Sequence, residues 1–330
     1  MPRIFSGIQP SGELHIGNYL GAVKNWVELQ HQHQCFICIV DHHAITQPYE
    51  PDAFEQRTLD MAVGLIAAGI DPDKCVLFVQ SHVAAHTELA WIFNAVTPIG
   101  YLERMTQFKD KSQHQESVLA GLLNYPVLQA ADVLLYKADL VPIGEDQIQH
   151  VELMREIARK WNAKYCRDFF PEPQAKIGTA KRIRGLDGQA KMSKSLGNTV
   201  AMLDEPDEIW EHIRMAQTDP ARVTRKDPGT PEKCNVYALH QHFSAPSMVD
   251  EVADKCRAAA WGCVDCKRVL ADNVAQTFSP MRERAKQLQD DPKALGDTLA
   301  TGAARAREVA DETMAGVREH MGYLIQRAGY

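Results

Sequence analysis

Six consecutive apolar residues, Cys35-Phe36-Ile37-Cys38-Ile39-Val40, leave a strand no face to give to water. So short and unbroken a run fits a strand buried on both sides, inside a parallel sheet covered by helices. Its neighbours agree. Arg3 to Gly7 reads as a strand, and Asn18 to Gln30 as a helix with Leu20, Val23 and Val27 on one face. Pro51 to Ala68 reads as a helix closed by Gly69, Val76 to Gln80 as a third strand, and Thr87 to Val96 as another helix. Pro126 to Tyr136 (helix), Leu140 to Ile143 (strand) and Asp146 to Asn162 (helix) continue the alternation. This order predicts an α/β fold: a doubly wound, Rossmann-like parallel sheet with helices on both faces. Beyond about residue 198 the strand signals fade. Helical patterns follow at Asp207 to Ala216, Val236 to His242, Ser247 to Ala260, Cys266 to Phe278, Arg282 to Gln289 and Ala294 to Gln326. A chain of 330 residues exceeds one simple core, so we expect residues 1–197 to form the sheet domain and residues 198–330 a C-terminal α-helical domain.

Residues 6–21, SGIQPSGELHIGNYLG, join the first strand to the first helix. In a doubly wound sheet that junction lies at the carboxyl ends of the strands, where ligands bind. Gly7, Gly12 and Gly17 allow backbone to approach a ligand, and a helix start offers unpaired N–H groups and a positive dipole to phosphate. His15 and Asn18 are three apart and flank the same opening as phosphate donors. Alone, the four residues His15 to Asn18 read first as a capped turn, and their placement after the first strand favours the phosphate reading. Residues 185–197, GLDGQAKMSKSLG, set Lys191 and Lys194 in a loop bounded by glycines. Such a loop can close over a triphosphate and neutralise charge on departing pyrophosphate. Both segments point to ATP chemistry. The polar stretch 108–116, which holds Lys111, reads as a charged surface loop.

Together these segments resemble the two signatures of the class I aminoacyl-tRNA synthetases. The wider text, GIQPSGELHIGNY at 7–19, ADVLLY at 131–136 and VPIGEDQ at 141–147, is similar to the bacterial tryptophanyl branch of that family. The resemblance implies formation of tryptophanyl-adenylate and pyrophosphate from L-tryptophan and ATP. Transfer of the tryptophanyl group to the 3′ adenosine of tRNA(Trp) then follows. Mg²⁺ would accompany the ATP. By residue, it implies that Gln9, Pro10, Ser11, Gly17 and Asn18 line the ATP site with His15 at the phosphates. Gly144, Glu145 and Asp146 would hold the ribose side, and Ile183 would border the adenine. Lys191, Met192, Ser193, Lys194 and Ser195 would close over the phosphates, which Lys111 also reaches. Tyr125 and Gln147 would sit near the substrate amino group, with Phe5, Val133 and Val141 as apolar walls and Gln129 on the same helical face. Asp132 stands in otherwise apolar helix text, where an unpartnered carboxylate is costly. The resemblance gives it the indole N–H; a nearby Arg or Lys is the alternative.

Cys234, Cys256, Cys263 and Cys266 lie in the helical half with spacing C-x21-C-x6-C-x2-C, beside Lys255, Arg257, Lys267 and Arg268. Four thiolates suit a [4Fe–4S] cluster or a tetrahedral zinc. Some relatives carry such a cluster on nearly this spacing, in the region that faces the anticodon, so the cluster leads, with zinc and free thiols as alternatives. Cys35, Cys38 and Cys75 read as core thiols.

There are 36 basic and 43 acidic residues, a net charge of −7, which argues against a general nucleic-acid coat and leaves room for one local basic face. No DNA or membrane partner is expected. The first residues resemble no export signal, which places the chain in the cytoplasm. The resemblance also implies a homodimer. A tyrosyl-tRNA synthetase, a nucleotidyltransferase of the same superfold, and a non-catalytic RNA-binding relative are the competing readings.

Overall fold

The computed structural model describes residues 1–113, 117–177, 183–190, 192–193 and 196–324. Five strands form one sheet: β1 (Arg3–Ile8), β2 (Gln34–Ile39), β3 (Val76–Val79), β4 (Leu140–Ile143) and β5 (Gln174–Ile177). Their spatial order is β3-β2-β1-β4-β5, and every pairing is parallel. The chain winds outward from β1 in one direction and then in the other. The crevice between the carboxyl ends of β1 and β4 is therefore the switch point of the sheet.

The apolar run at 35–40 does what its composition requires. Cys35, Ile37 and Ile39 enter the hydrophobic layer on one face, with Ile4, Cys75, Leu77 and Val79. Phe36, Cys38 and Val40 enter the opposite layer, with Phe5, Val76, Phe78 and Val141.

The first helical stretch is α1 (Ile16–Asn18), a π-helical turn (Tyr19–Val23) and α2 (Lys24–Leu29). Next come α3 (Asp41–Ala44), α4 (Pro51–Ala67), α5 (Ala85–Asn94), α6 (Ile99–Glu103), α7 (Thr106–Ser112), α8 (Ala120–Leu135) and α9 (Ile148–Lys164). Beyond β5 the regular elements are almost wholly helical: α10 (Pro206–Arg214), α11 (Asn235–Phe243), α12 (Pro246–Arg257), α13 (Cys263–Gln289) and α14 (Pro292–His320). Helices α2, α4, α10, α11 and α13 cover the first layer, and α5, α8 and α9 the second. Helix α14 serves both. Its Leu295 and Leu299 belong to the first layer, while Ala303, Ala306, Ala310, Met314 and Val317 belong to the second. It crosses the outer edge of β3 at Gly302, where a Cβ would lie 1.8 Å from the Leu77 carbonyl oxygen. Arg318 near its end forks onto Glu88 of α5 at 2.8 and 2.5 Å. Among the described residues no helix is long and apolar enough to cross a membrane.

Three local readings are corrected. Residues 108–112 are helical, within α7, rather than loop; the rest of that stretch, 114–116, lies outside the described residues. Helix α8 begins at Ala120 and carries Pro126 inside it, and α13 runs unbroken through Pro280. A proline removes one helical donor and strains the preceding turn. At Pro280 the adjacent backbone finds another partner, because buried Arg282 donates Nη2 to the Ala275 carbonyl at 2.8 Å.

Candidate active site

The helix after β1 opens on a reciprocal cap. His15 Nδ1 accepts from the Asn18 backbone N–H at 3.3 Å, and Asn18 Oδ1 accepts from the His15 backbone N–H at 3.3 Å. Because Nδ1 accepts, the ring proton sits on Nε2; because Oδ1 accepts, the Asn18 amide presents Nδ2. The cap thus fixes which atoms of both side chains can donate to an anion.

The second segment packs against this cap. Ile16 N–H donates to Val200 O at 3.0 Å, and Met202 N–H to Leu14 O at 2.7 Å. A Cβ on Gly17 would lie 3.0 Å from the His15 ring and 3.1 Å from Met192 Cβ, so only a glycine lets the two segments close this far. Ile183 and Met192 are buried there, and the Ser193 N–H donates to Asn198 Oδ1 at 2.8 Å. Lys191, Lys194 and Ser195 lie outside the described residues. Gln9, Pro10 and Ser11 follow β1, and Gly144, Glu145 and Asp146 follow β4. These are the two walls of the switch-point crevice. A Cβ on Gly144 would stand 2.7 Å from Asp146 Oδ1, the end of an exposed side chain that can turn aside.

Beyond the carboxyl ends of β2 and β3 lies a buried polar cluster that the sequence revealed only through Asp132. Asp132 is 1% exposed. Its Oδ2 meets His43 Nε2 at 2.7 Å, and its Oδ1 meets Gln80 Nε2 and His86 Nδ1, each at 2.6 Å. The alternative of a local Arg or Lys is not what is found. Burial would raise the carboxyl pKa, but the facing His43, its hydrogen bond, and His86 more than reverse this and hold the pKa well below the usual range. Tyr136 closes the cluster, its OH 2.8 Å from His86 Nε2 and its ring stacked on Phe5 at 5.5 Å. His43 and Gln80 come from the segments just beyond β2 and β3. Polar residues directly after a strand are the signal that could have found them.

Nearer the surface, Tyr125 donates its OH to Gln107 Oε1 at 2.8 Å, and His150 Nε2 lies 2.9 Å from the Tyr125 hydroxyl oxygen. Burial pushes the Tyr125 phenol up to about 12. Burial also lowers His150, to about 4, against the attraction of Asp146. His150 is therefore a neutral donor at pH 7. Lys111, from α7, places Nζ 5.8 Å from the Tyr125 ring. Phe5, Val133 and Val141 are buried, while Gln129 and Gln147 are half-buried.

Residues 1–279 match the family of class I tRNA synthetases for tryptophan and tyrosine. The chain is 53% identical over 329 residues to the tryptophan–tRNA ligase of Deinococcus radiodurans, covering 98% of this chain and 99% of that protein. It is 43% identical to the tryptophan–tRNA ligase of Thermotoga maritima, covering 98% and 100%. It belongs to the bacterial tryptophanyl-tRNA synthetases. The Campylobacter jejuni member, solved with ADP and tryptophan, superposes with a TM-score of 0.90 at 37% identity, over 97% of this chain and 99% of that one.

In this synthetase the four cysteines of the helical half, with Arg222 and Trp261, line a single cavity. A Cβ on Gly229 would lie 2.6 Å from Cys256 Sγ, so the glycine clears space for that thiol. Arg222 Nη1 is 3.8 Å from Cys256 Sγ, and His240 Nε2 is 3.4 Å from Cys266 Sγ. Burial, then the neighbouring thiols, push Cys266 up to about 12. Among the described residues no three His, Cys, Asp or Glu side chains are gathered to hold one metal ion.

Proposed function

We propose that the chain is a tryptophan–tRNA ligase. It activates L-tryptophan with ATP and passes the tryptophanyl group to the 3′ adenosine of tRNA(Trp). Asp132 carries this reading: a buried, ionised acceptor that can take a ring N–H donor. In the first step a tryptophan carboxylate oxygen bonds to the α-phosphorus as the bond to the bridging oxygen breaks, and pyrophosphate leaves. No covalent enzyme intermediate is needed; the chain supplies position and charge. His15 Nε2–H and Asn18 Nδ2–H donate to phosphate oxygens. Lys111, Lys191 and Lys194 neutralise the triphosphate, which carries Mg²⁺. Gln9, Pro10, Ser11, Gly17, Met192, Ser193 and Ser195 shape the phosphate side, Gly144 to Asp146 the ribose side, and Ile183 the adenine side. Tyr125 and Gln147 orient the amino group, with Phe5, Gln129, Val133 and Val141 around the indole. ATP–pyrophosphate exchange tested with each of the twenty amino acids should respond to tryptophan. A response to tyrosine alone would overturn the reading, and no response at all would favour a non-catalytic relative.

Residues 1–197 are the catalytic unit and 198–330 the unit that holds the tRNA anticodon stem, in a cytoplasmic homodimer. The shared cavity supports Cys234, Cys256, Cys263 and Cys266 as holders of a [4Fe–4S] cluster. A single tetrahedral zinc on the same four thiolates is the alternative. When bound, the cluster would tie together the start of α11, the end of α12 and the first turn of α13, which carry its four thiolates. Iron and sulfide near four per chain after anaerobic purification is the expected result. One zinc, or neither metal in active enzyme, would refute it.

A further inference from the structure

A carboxylate has two oxygens with about two lone-pair positions each. On Asp132, Gln80 and His86 take both positions of Oδ1, and His43 takes one of Oδ2. Among the described residues, this leaves one acceptor position on the oxygen that His43 holds. His86 is 0% exposed, and its Nδ1 must carry a proton to meet the carboxylate. Its Nε2 then accepts from Tyr136 OH at 2.8 Å. Tyr136 cannot turn, since its ring is packed between Phe5 at 5.5 Å and Phe36 at 4.6 Å. The order Tyr136, His86, Asp132 is a fixed relay of hydrogen bonds, anchored in the core and ending at the carboxylate.

We propose that His86, locked by Tyr136, is a positioning residue for amino-acid selection: it pins Oδ1 so that Asp132 turns its one remaining lone pair to the substrate ring N–H. This rests on the tryptophan reading above. Selectivity then depends on a residue that never touches the substrate.

The test compares tryptophan with benzothienylalanine, in which sulfur replaces the indole N–H, in ATP–pyrophosphate exchange. His86→Leu should raise KM for tryptophan by about 30-fold, the scale of one hydrogen bond to a charged group. KM for the sulfur analogue and for ATP should stay nearly constant, and kcat should change little. His86→Asn, whose amide nitrogen can stand in for Nδ1, should restore most of the preference. Tyr136→Phe keeps the packed ring and breaks the relay one bond earlier; it should raise KM severalfold for tryptophan only, and it decides the matter if His86→Leu does not fold. An equal rise for both amino acids in these variants would reduce His86 to a packing residue and overturn the proposal. So would an unchanged preference in both. Equal use of the two amino acids by the unsubstituted enzyme would instead overturn the N–H reading of Asp132 itself, and the proposal with it.

Discussion

Gly302 and Gly296 occupy the same helix and should answer the same substitution with opposite sign. At Gly302 an added Cβ would meet the Leu77 carbonyl oxygen at 1.8 Å, and neither group is a flexible side chain that could step aside. To restore ordinary contact, α14 must retreat by about 1.5 Å, and even a 0.5–1 Å gap forfeits about a quarter to a half of a contact's dispersion energy. The loss falls on Leu299, Ala303 and Ala306, the buried residues nearest the crossing. We expect Gly302→Ala to cost about 3 kcal/mol or more, the upper part of the overpacking range. At Gly296 nothing lies within 4 Å of the added atom. There, alanine restricts the unfolded chain and should stabilise by about 0.5–1 kcal/mol. Urea unfolding followed by tryptophan fluorescence measures both. At about 1.5 °C per kcal/mol for a chain of 330 residues, Tm should fall by roughly 4–5 °C in the first variant and rise slightly in the second. If Gly302→Ala unfolded with the unsubstituted protein, or if both variants moved together, the close crossing of α14 over β3 would be wrong.

Gly17→Ala should lower kcat/KM for ATP by about tenfold or more, because its Cβ pushes on the His15 ring and Met192, where misplacement by an ångström is expensive; an unchanged KM for tryptophan would separate this from general unfolding, and an unchanged value for ATP would contradict the packing of the two segments. His150 is held neutral by burial, with a folded pKa of about 4 against about 6.5 unfolded. The unfolded chain therefore binds more protons between those values, so this group's contribution is complete above pH 6.5 and is lost as pH falls toward 4. The loss amounts to about 3 kcal/mol at 1.36 kcal/mol per unit, and urea midpoints at pH 7 and 4.5 should converge in His150→Asn. Asp132→Leu removes the shared acceptor and strands His43, Gln80 and His86 in the core; it should abolish tryptophan-dependent exchange and cost about 3–5 kcal/mol in stability, as breaking a buried charged cluster does. Retained exchange would rule out the role given to Asp132.

How much was legible depends on whether a residue's partners lie near it in sequence. Strands β2 to β4 were readable because burial on two faces leaves unbroken apolar runs, as in residues 35–40, and β1 from Ile4-Phe5 ahead of a glycine-rich turn. Strand β5, Gln174–Ile177, was missed: it is an edge strand with only Lys176 half-buried, and its short text carries no such run. Pro126 and Pro280 misled because local propensity says break where tertiary packing holds the helix together. In the site, Asp132 stood out as an acid among apolar residues. Its partners did not, since His43 lies 89 residues away, Gln80 52 and His86 46. A lone histidine after a strand has too many ordinary uses to be singled out. Only the fold brings two histidines and a glutamine to one carboxylate.

The crossing of α14 also bears on the order in which the molecule can be made. An uncovered strand edge is a template for pairing with another chain. Strand β3 is translated early, yet the helix that shields its outer edge is the last one of the described chain. During synthesis the sheet thus spends most of its time as a half-sealed object. The shielding segment is small-residue text, Gly302-Ala303-Ala304 followed by Ala306 and Ala310, which can settle onto backbone without large side chains to sort. A nascent chain stalled before Pro292 would present β3 to its neighbours, and the 29 residues of α14 act as the stopper that ends this exposure.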